Sequence, residues 1–147
     1  MGFVVDLSRE IAAPPPVVWE VVTNLAAYPE WNPFVVACRS GLAAGDPIVM
    51  QVRLFPWFTQ SQTETIFEHV PQGRLCYGLG SGRTGAIISR RCHEIAPGAE
   101  GRTRYRSHFE LSGWLGPVVA AMLGSRLEHG FRSMTDALQR RAEQLRT

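Results

Sequence analysis

The chain has 147 residues, 45% of them hydrophobic and 19% charged, with a net charge of +2. That length suits one domain spanning 1–147, able to bury about 68–70% of its unfolded surface. The charge excess is too small to point to nucleic acid. The most apolar late run, Trp114–Leu123, is interrupted by Gly and Pro and is too short to span a bilayer, and no signal peptide opens the chain, so a soluble cytoplasmic protein is expected. Cys38, Cys76 and Cys92 are an odd, widely spaced set, which predicts reduced, buried thiols rather than a disulfide framework or a zinc site.

Phe3–Ile11 alternates. Phe3, Val5, Leu7 and Ile11 share one side and Asp6, Ser8 and Glu10 the other, the pattern of a half-buried strand that Arg9 alone breaks. Pro14–Pro16 end it and suit the first turn of a helix, where the backbone N–H has no partner. Val18, Val21, Val22 and Leu25 then recur at spacings of three and four, with Trp19 widening the face. Pro29 and Pro33 bracket a single turn, Glu30–Asn32. A residue before proline avoids the helical region, which predicts bends at both Tyr28 and Asn32.

Val35–Ser40, Pro47–Phe55, Thr59–Val70, Arg74–Leu79, Ala86–Ile95 and Arg102–Leu111 read as six further strands. Their connections carry turn chemistry at Gly41–Asp46, at an aromatic hairpin tip Pro56-Trp57-Phe58, at Pro71–Gly73 and at Pro97–Gly101, with Gly78–Gly85 as a flexible loop. Short turns between successive strands imply antiparallel pairing. The last strand is the most regular: Thr103, Tyr105, Ser107, Phe109 and Leu111 face one way, and Arg102, Arg104, Arg106, His108 and Glu110 the other. From Leu115 the chain is helical, with an apolar stripe through Leu123, Leu127, Phe131, Met134, Leu138, Ala142 and Leu145. Gly124 and Gly130 inside that helix imply a bend or a close approach. Helices segregated from a run of antiparallel strands define the α+β class.

Ile11-Ala12-Ala13-Pro14 leading to Val18-Trp19, and the run Tyr28–Phe34, resemble the START-like superfamily, also called SRPBCC, which includes polyketide cyclases/dehydrases and the birch-pollen-allergen fold. Arg74-Leu75, Gly101–Leu111 and Ala137-Leu138 extend the likeness over essentially the whole chain. The resemblance implies a seven-stranded curled antiparallel sheet around a long C-terminal helix, the helix-grip fold, with a cavity for a hydrophobic or aromatic small molecule between them. These motifs are packing and corner residues, so they speak to fold and not to activity.

Cavity sites are mostly apolar with a few placed polar groups, so function turns on which polar side chains point inward. Tyr105 and Ser107 fall on the apolar side of their strand. In Ala86–Ile95 two phases are open. One carries Ser89, Arg91 and His93 inward with Ile87 and Ile95; the other carries Ile88 and Cys92. The first is adopted as the expectation, and it gathers Arg91, His93, Tyr105 and Ser107 on adjacent strands. A buried Arg needs a partner, either a carboxylate such as Glu64 or a planar oxygen group on a ligand. Arg91, His93 and Tyr105 are the catalytic candidates. Trp31, Phe34, Trp57 and Phe58 are candidates for a cavity mouth, Phe109 for its wall on the sheet, and Met122, Leu123, Leu127, Phe131 and Met134 for its wall on the helix.

No spacing among His69, His93, His108 and His129 suggests a metal, and no phosphate-binding loop opens a helix, so no cofactor is expected. The expected partner is a small hydrophobic, lipid- or polyketide-like molecule, with no nucleic acid, no stable membrane insertion, and a monomer or homodimer. Three functions stand: a binding protein or carrier, a polyketide cyclase/aromatase-type enzyme using the same cavity, and an interaction module docking a protein through the Trp57–Phe58 tip or the basic edge Arg102, Arg104 and Arg106.

Overall fold

A computed structural model describes residues 2–80 and 85–146. Half of the Gly78–Gly85 loop expected from sequence, residues 81–84, lies outside these. The chain runs β1 (Phe3–Ile11), α1 (Pro15–Thr23), a 3-10 turn (Leu25–Ala27), α2 (Tyr28–Trp31), β2 (Val35–Ser40), β3 (Pro47–Phe55), β4 (Phe58–Val70), β5 (Arg74–Gly78), β6 (Ile88–Pro97), β7 (Thr103–Ser112) and α3 (Gly116–Leu145). All strands join one antiparallel sheet in the order β1-β7-β6-β5-β4-β3-β2. The first strand therefore pairs with the last. The α1–α2 segment carries the chain from one sheet edge to the other.

The alternation in β1 buries Val5, Leu7 and Ile11. Arg9, the break in that pattern, reaches α3 and donates to Asp136 Oδ1 at 3.0 Å. In α1, Val18, Val21 and Val22 are buried, and Trp19 stacks on His69 with ring centroids 5.7 Å apart. β-Branched residues hold a short helix poorly by propensity, so this burial is what stabilises it.

The corner at Tyr28–Phe34 departs in part from expectation. Asn32 is extended (φ −90°, ψ 113°), but Tyr28 is helical (φ −53°, ψ −40°) although a proline follows it. Packing outweighs the local preference there: the Tyr28 ring is buried and its hydroxyl donates to the Val22 carbonyl at 2.6 Å. Asn32 Oδ1 accepts from the backbone N–H of Phe34 (3.0 Å) and Val35 (2.9 Å), which turns the chain into β2. Trp31 packs edge-on against Tyr28.

The cysteine expectation is overturned. Cys76 and Cys92 are register partners on β5 and β6 and form a disulfide, which leaves Cys38 free. Sixteen residues separate the pair in sequence, and only strand register makes them neighbours. The Cys38 thiol is pushed up to about 12, first by burial and then by the charge of Glu64, so it stays protonated.

Both glycines of α3 are close approaches. A Cβ on Gly124 would sit 3.1 Å from the Phe3 ring, and one on Gly130 would overlap the Phe34 ring. Two of the arginines on the outer side of the sheet are answered by β1: Arg106 forms a two-pronged pair with Asp6, and Arg102, just before β7, lies 3.6 Å from Glu10.

Candidate functional site

Between the concave face of the sheet and the first half of α3 lies a cavity of about 520 Å³, a size ordinary for small-molecule sites. Its apolar wall includes Val52 and Leu54 from β3, Phe109 from β7, and Leu123, Leu127 and Phe131 from α3. Phe34 enters it from the corner before β2 and meets Phe131 edge-on at 5.0 Å. Polar groups reach it from three strands: Gln62 and Glu64 of β4, Tyr77 of β5, and Ser89 and Arg91 of β6.

The phase left open in sequence is decided by pairing. Tyr77 faces Arg91 and Arg91 faces Phe109 in register, so all three project from the concave side. Arg91 is 3% exposed. Its Nη2 donates to Ser107 Oγ at 3.0 Å and its Nη1 to Met134 Sδ at 3.3 Å, while its Cζ lies 4.6 Å from the centre of the Phe131 ring. A thioether is a weak acceptor, and the Nε–H has no partner. Among the described residues Arg91 takes part in no ion pair. Burying a cation without a close counter-ion is expensive, so the cavity presents a positive charge that has no carboxylate at ion-pair distance among the described residues, with Glu64 the acidic group that shares the cavity.

His93, Tyr105 and Ser107 are brought together, but behind Arg91 and not on the cavity wall. Register explains the set-back: His93 opposes Ser107 and Ile95 opposes Tyr105, each step leading away from the cavity. The buried His93 ring has Tyr105 Oη 2.7 Å from Nδ1 and Tyr77 Oη 3.1 Å from Nε2. Burial, reinforced by the charge of Arg91, holds its pKa well below the usual imidazole value. A neutral imidazole has one N–H and one lone pair, so it accepts from one tyrosine and donates to the other. Burial likewise raises the Tyr77 and Tyr105 phenols. The chain Tyr77–His93–Tyr105 is thus an uncharged relay that touches the cavity at Tyr77.

Glu64 is the second group of consequence. It is buried, faces the cavity and accepts from Gln62 Nε2. Burial raises its pKa above the ordinary carboxyl value, against the opposing pull of Gln62 and Arg91. Sequence reading offered it only as a partner for Arg91, and missed Tyr77 altogether. Tyr77 was discoverable, because it shares the phase of Leu75 in the strand next to Arg91.

Five aromatic or helical candidates, Trp31, Trp57, Phe58, Met122 and Met134, do not line the cavity, Met134 because it packs in the core under Arg91. Trp31 is half-buried at the corner and does not reach the cavity, and Trp57 is exposed on the β3–β4 turn against Phe55. Phe58 lies beside it, 5.9 Å from Phe55. Met122 points to solvent because it falls one position, about 100° of helix rotation, from the inward row Val119-Leu123-Leu127.

A curled antiparallel sheet gripping a long helix around such a cavity is the helix-grip, START-like class of protein. The sequence profile for polyketide cyclase / dehydrase and lipid transport matches residues 3–143, and the chain belongs to that family. Among curated proteins, none matches it. Similar solved structures include a START superfamily protein from Mycobacterium smegmatis (20% identity, 97% of this chain and 98% of that one, TM-score 0.75). They also include the Zhui aromatase/cyclase from a Streptomyces species (16%, 98% and 95%, TM-score 0.77). A third is norcoclaurine synthase from Thalictrum flavum, solved with dopamine and hydroxybenzaldehyde (14%, 100% and 90%, TM-score 0.71). At these identities the likeness is one of fold. No described helix is long and apolar enough to cross a membrane.

Proposed function

We propose that this chain binds a small, largely apolar molecule that carries a planar oxygen group, such as a carboxylate, phenolate or enolate, and that Arg91 is its anchor. The observation that carries this reading is a buried guanidinium in an apolar cavity with no carboxylate partner and a free Nε–H. A ligand oxygen there gains a charge-assisted hydrogen bond and relieves the unpaired charge. The apolar wall takes the rest of the molecule.

The test uses 2-naphthoate and naphthalene as matched probes in calorimetric or fluorescence titrations. The anchor predicts tighter binding of the carboxylate by at least about tenfold, a preference that Arg91→Met abolishes, since a hydrogen bond to a charged group contributes about 1.5–3 kcal/mol. Equal affinity of the wild type for both probes would sink it.

A second reading, a polyketide cyclase/aromatase-type enzyme, is favoured by Glu64. A carboxyl with a raised pKa in the same cavity as a cation is suited to proton transfer while Arg91 stabilises a developing enolate. Holding a flexible poly-keto chain in a reactive fold would supply further rate through proximity. Cyclisation of a short poly-β-ketone thioester, at least about 100-fold slower in Glu64→Gln with binding retained, is the expected result. Binding without turnover would leave the carrier reading alone.

A further inference from the structure

We propose that Tyr77 is a second anchor for the cavity ligand, a phenol whose O–H is aimed into the cavity because His93 is held as its Nε2–H tautomer. This role rests on the Arg91-anchored ligand proposed above. Tyr77 is then a binding residue, and His93 a positioning residue that acts through it.

Arg91, Ser107, Tyr105, His93 and Tyr77 form a run of polar groups on the inner side of β5, β6 and β7. Arg91 Nη2 donates to Ser107 Oγ at 3.0 Å. Tyr105 Oη lies 2.7 Å from His93 Nδ1, and His93 Nε2 lies 3.1 Å from Tyr77 Oη. Ser107, Tyr105 and His93 are buried, and of the five groups only Arg91 and Tyr77 line the cavity.

The closed end of the run decides which nitrogen carries the hydrogen. Among the described residues Tyr105 Oη has a single hydrogen-bond partner, Nδ1. Burial raises the Tyr105 pKa, and Arg91 and Ser107 beside it pull the other way, so both act toward its oxygen as donors. A guanidinium has no acceptor, and Ser107 Oγ already receives Arg91 Nη2. With the ring hydrogen on Nδ1, the Tyr105 O–H would be a buried donor without an acceptor, which is costly. Tyr105 therefore donates to Nδ1, and the Nε2–H donates to Tyr77 Oη. Hydroxyl donors make shorter bonds than N–H donors, and the Tyr105 contact is the shorter of the two.

The open end then has one hydrogen to spare. Tyr77 Oη accepts from His93, so its own O–H is left for the cavity that the residue lines. Tyr77 and Arg91 are register partners on β5 and β6, which makes them side-by-side donors, one neutral and one charged. Fixed donors in a buried site favour a ligand oxygen that only accepts. A carboxylate or an enolate meets that demand, and a head group that turns a hydrogen toward the pair does not.

Two measurements test this. In the nitrogen–proton NMR spectrum of protein with isotope-labelled imidazole nitrogens, at neutral pH and without ligand, the His93 ring should show a bare Nδ1 and a protonated Nε2. Its signals are those missing from His93→Gln. In titrations, Tyr77→Phe at unchanged thermal unfolding should bind 2-naphthoate at least about tenfold more weakly, and naphthalene as the wild type does. A hydrogen on Nδ1, alone or on both nitrogens, overturns the proposal. So does undiminished naphthoate affinity in Tyr77→Phe. Either result, with the naphthoate preference present in the wild type and lost in Arg91→Met, removes Tyr77 alone and leaves the Arg91 anchor standing. Equal affinity of the wild type for the two probes removes the anchor and the role of Tyr77 with it.

Discussion

The two halves of α3 are made of similar residues and do opposite things. From Phe131 to Ala142 the inward side chains Met134, Leu138 and Ala142 are wholly inaccessible, pressed against α1 and β1. From Val119 to Leu127 the inward side chains are only partly buried and face a cavity. The difference lies in what is opposite. α1 covers the C-terminal half, whereas the curled strands β3 and β4 draw away from the N-terminal half. Arg91 and Phe131 stand at the boundary, where a polar site is shielded from water on one side and open to a guest on the other. One end of the helix therefore contributes stability, and the other contributes a site.

The packed half should dominate stability. Leu138→Ala is expected to cost about 2–5 kcal/mol in urea unfolding, the range for a fully buried leucine whose surroundings cannot collapse. The disulfide sits on the sheet behind the site, and closes a loop of 16 residues in sequence. Reduction should cost about 2–3 kcal/mol, read as a lower unfolding midpoint in dithiothreitol and as two additional alkylated thiols by mass spectrometry. A wild type that alkylates at three positions without reductant would remove this link between β5 and β6.

His93 marks the boundary by its pH dependence. Its pKa in the folded protein is depressed below the ordinary 6.5, so between those two values the unfolded chain binds a proton and the native one does not. Stability is complete above about pH 6.5 and declines as the pH falls, by up to about 1.4 kcal/mol per pH unit. His93→Gln should flatten that decline relative to wild type between pH 6.5 and 5. A slope identical in both proteins would mean that the imidazole is charged in the fold. Glu64 acts in the opposite sense. Its raised pKa makes the native state bind the proton more tightly, so its contribution is lost as pH rises through the folded-state value.

The smallest effect is expected in the hollow half. Leu127→Ala should cost roughly 1 kcal/mol or less, because much of its side chain already lacks packed neighbours. It should enlarge the cavity and shift binding toward bulkier naphthoates. A loss as large as that of Leu138→Ala would erase the distinction between the halves.

Much of this architecture was legible in residue order. Strand and helix periods, turn residues and the Tyr28–Phe34 corner are local signals, set by alternation, by proline's fixed φ and by side chains that bond their own backbone. They were enough for the sheet, the long helix and the side of β7 that faces inward. The site was only half visible. Phe34, Phe109, Leu123, Leu127, Phe131 and Arg91 do meet at one cavity, yet Tyr77 went unnoticed, and Trp31, Trp57 and Met122 point elsewhere. The Cys76–Cys92 pair, the set-back of His93 and the missing partner of Arg91 all follow from strand register and from where a bent sheet parts from a straight helix. Those are relations between segments far apart in the chain, and no periodicity within one segment encodes them.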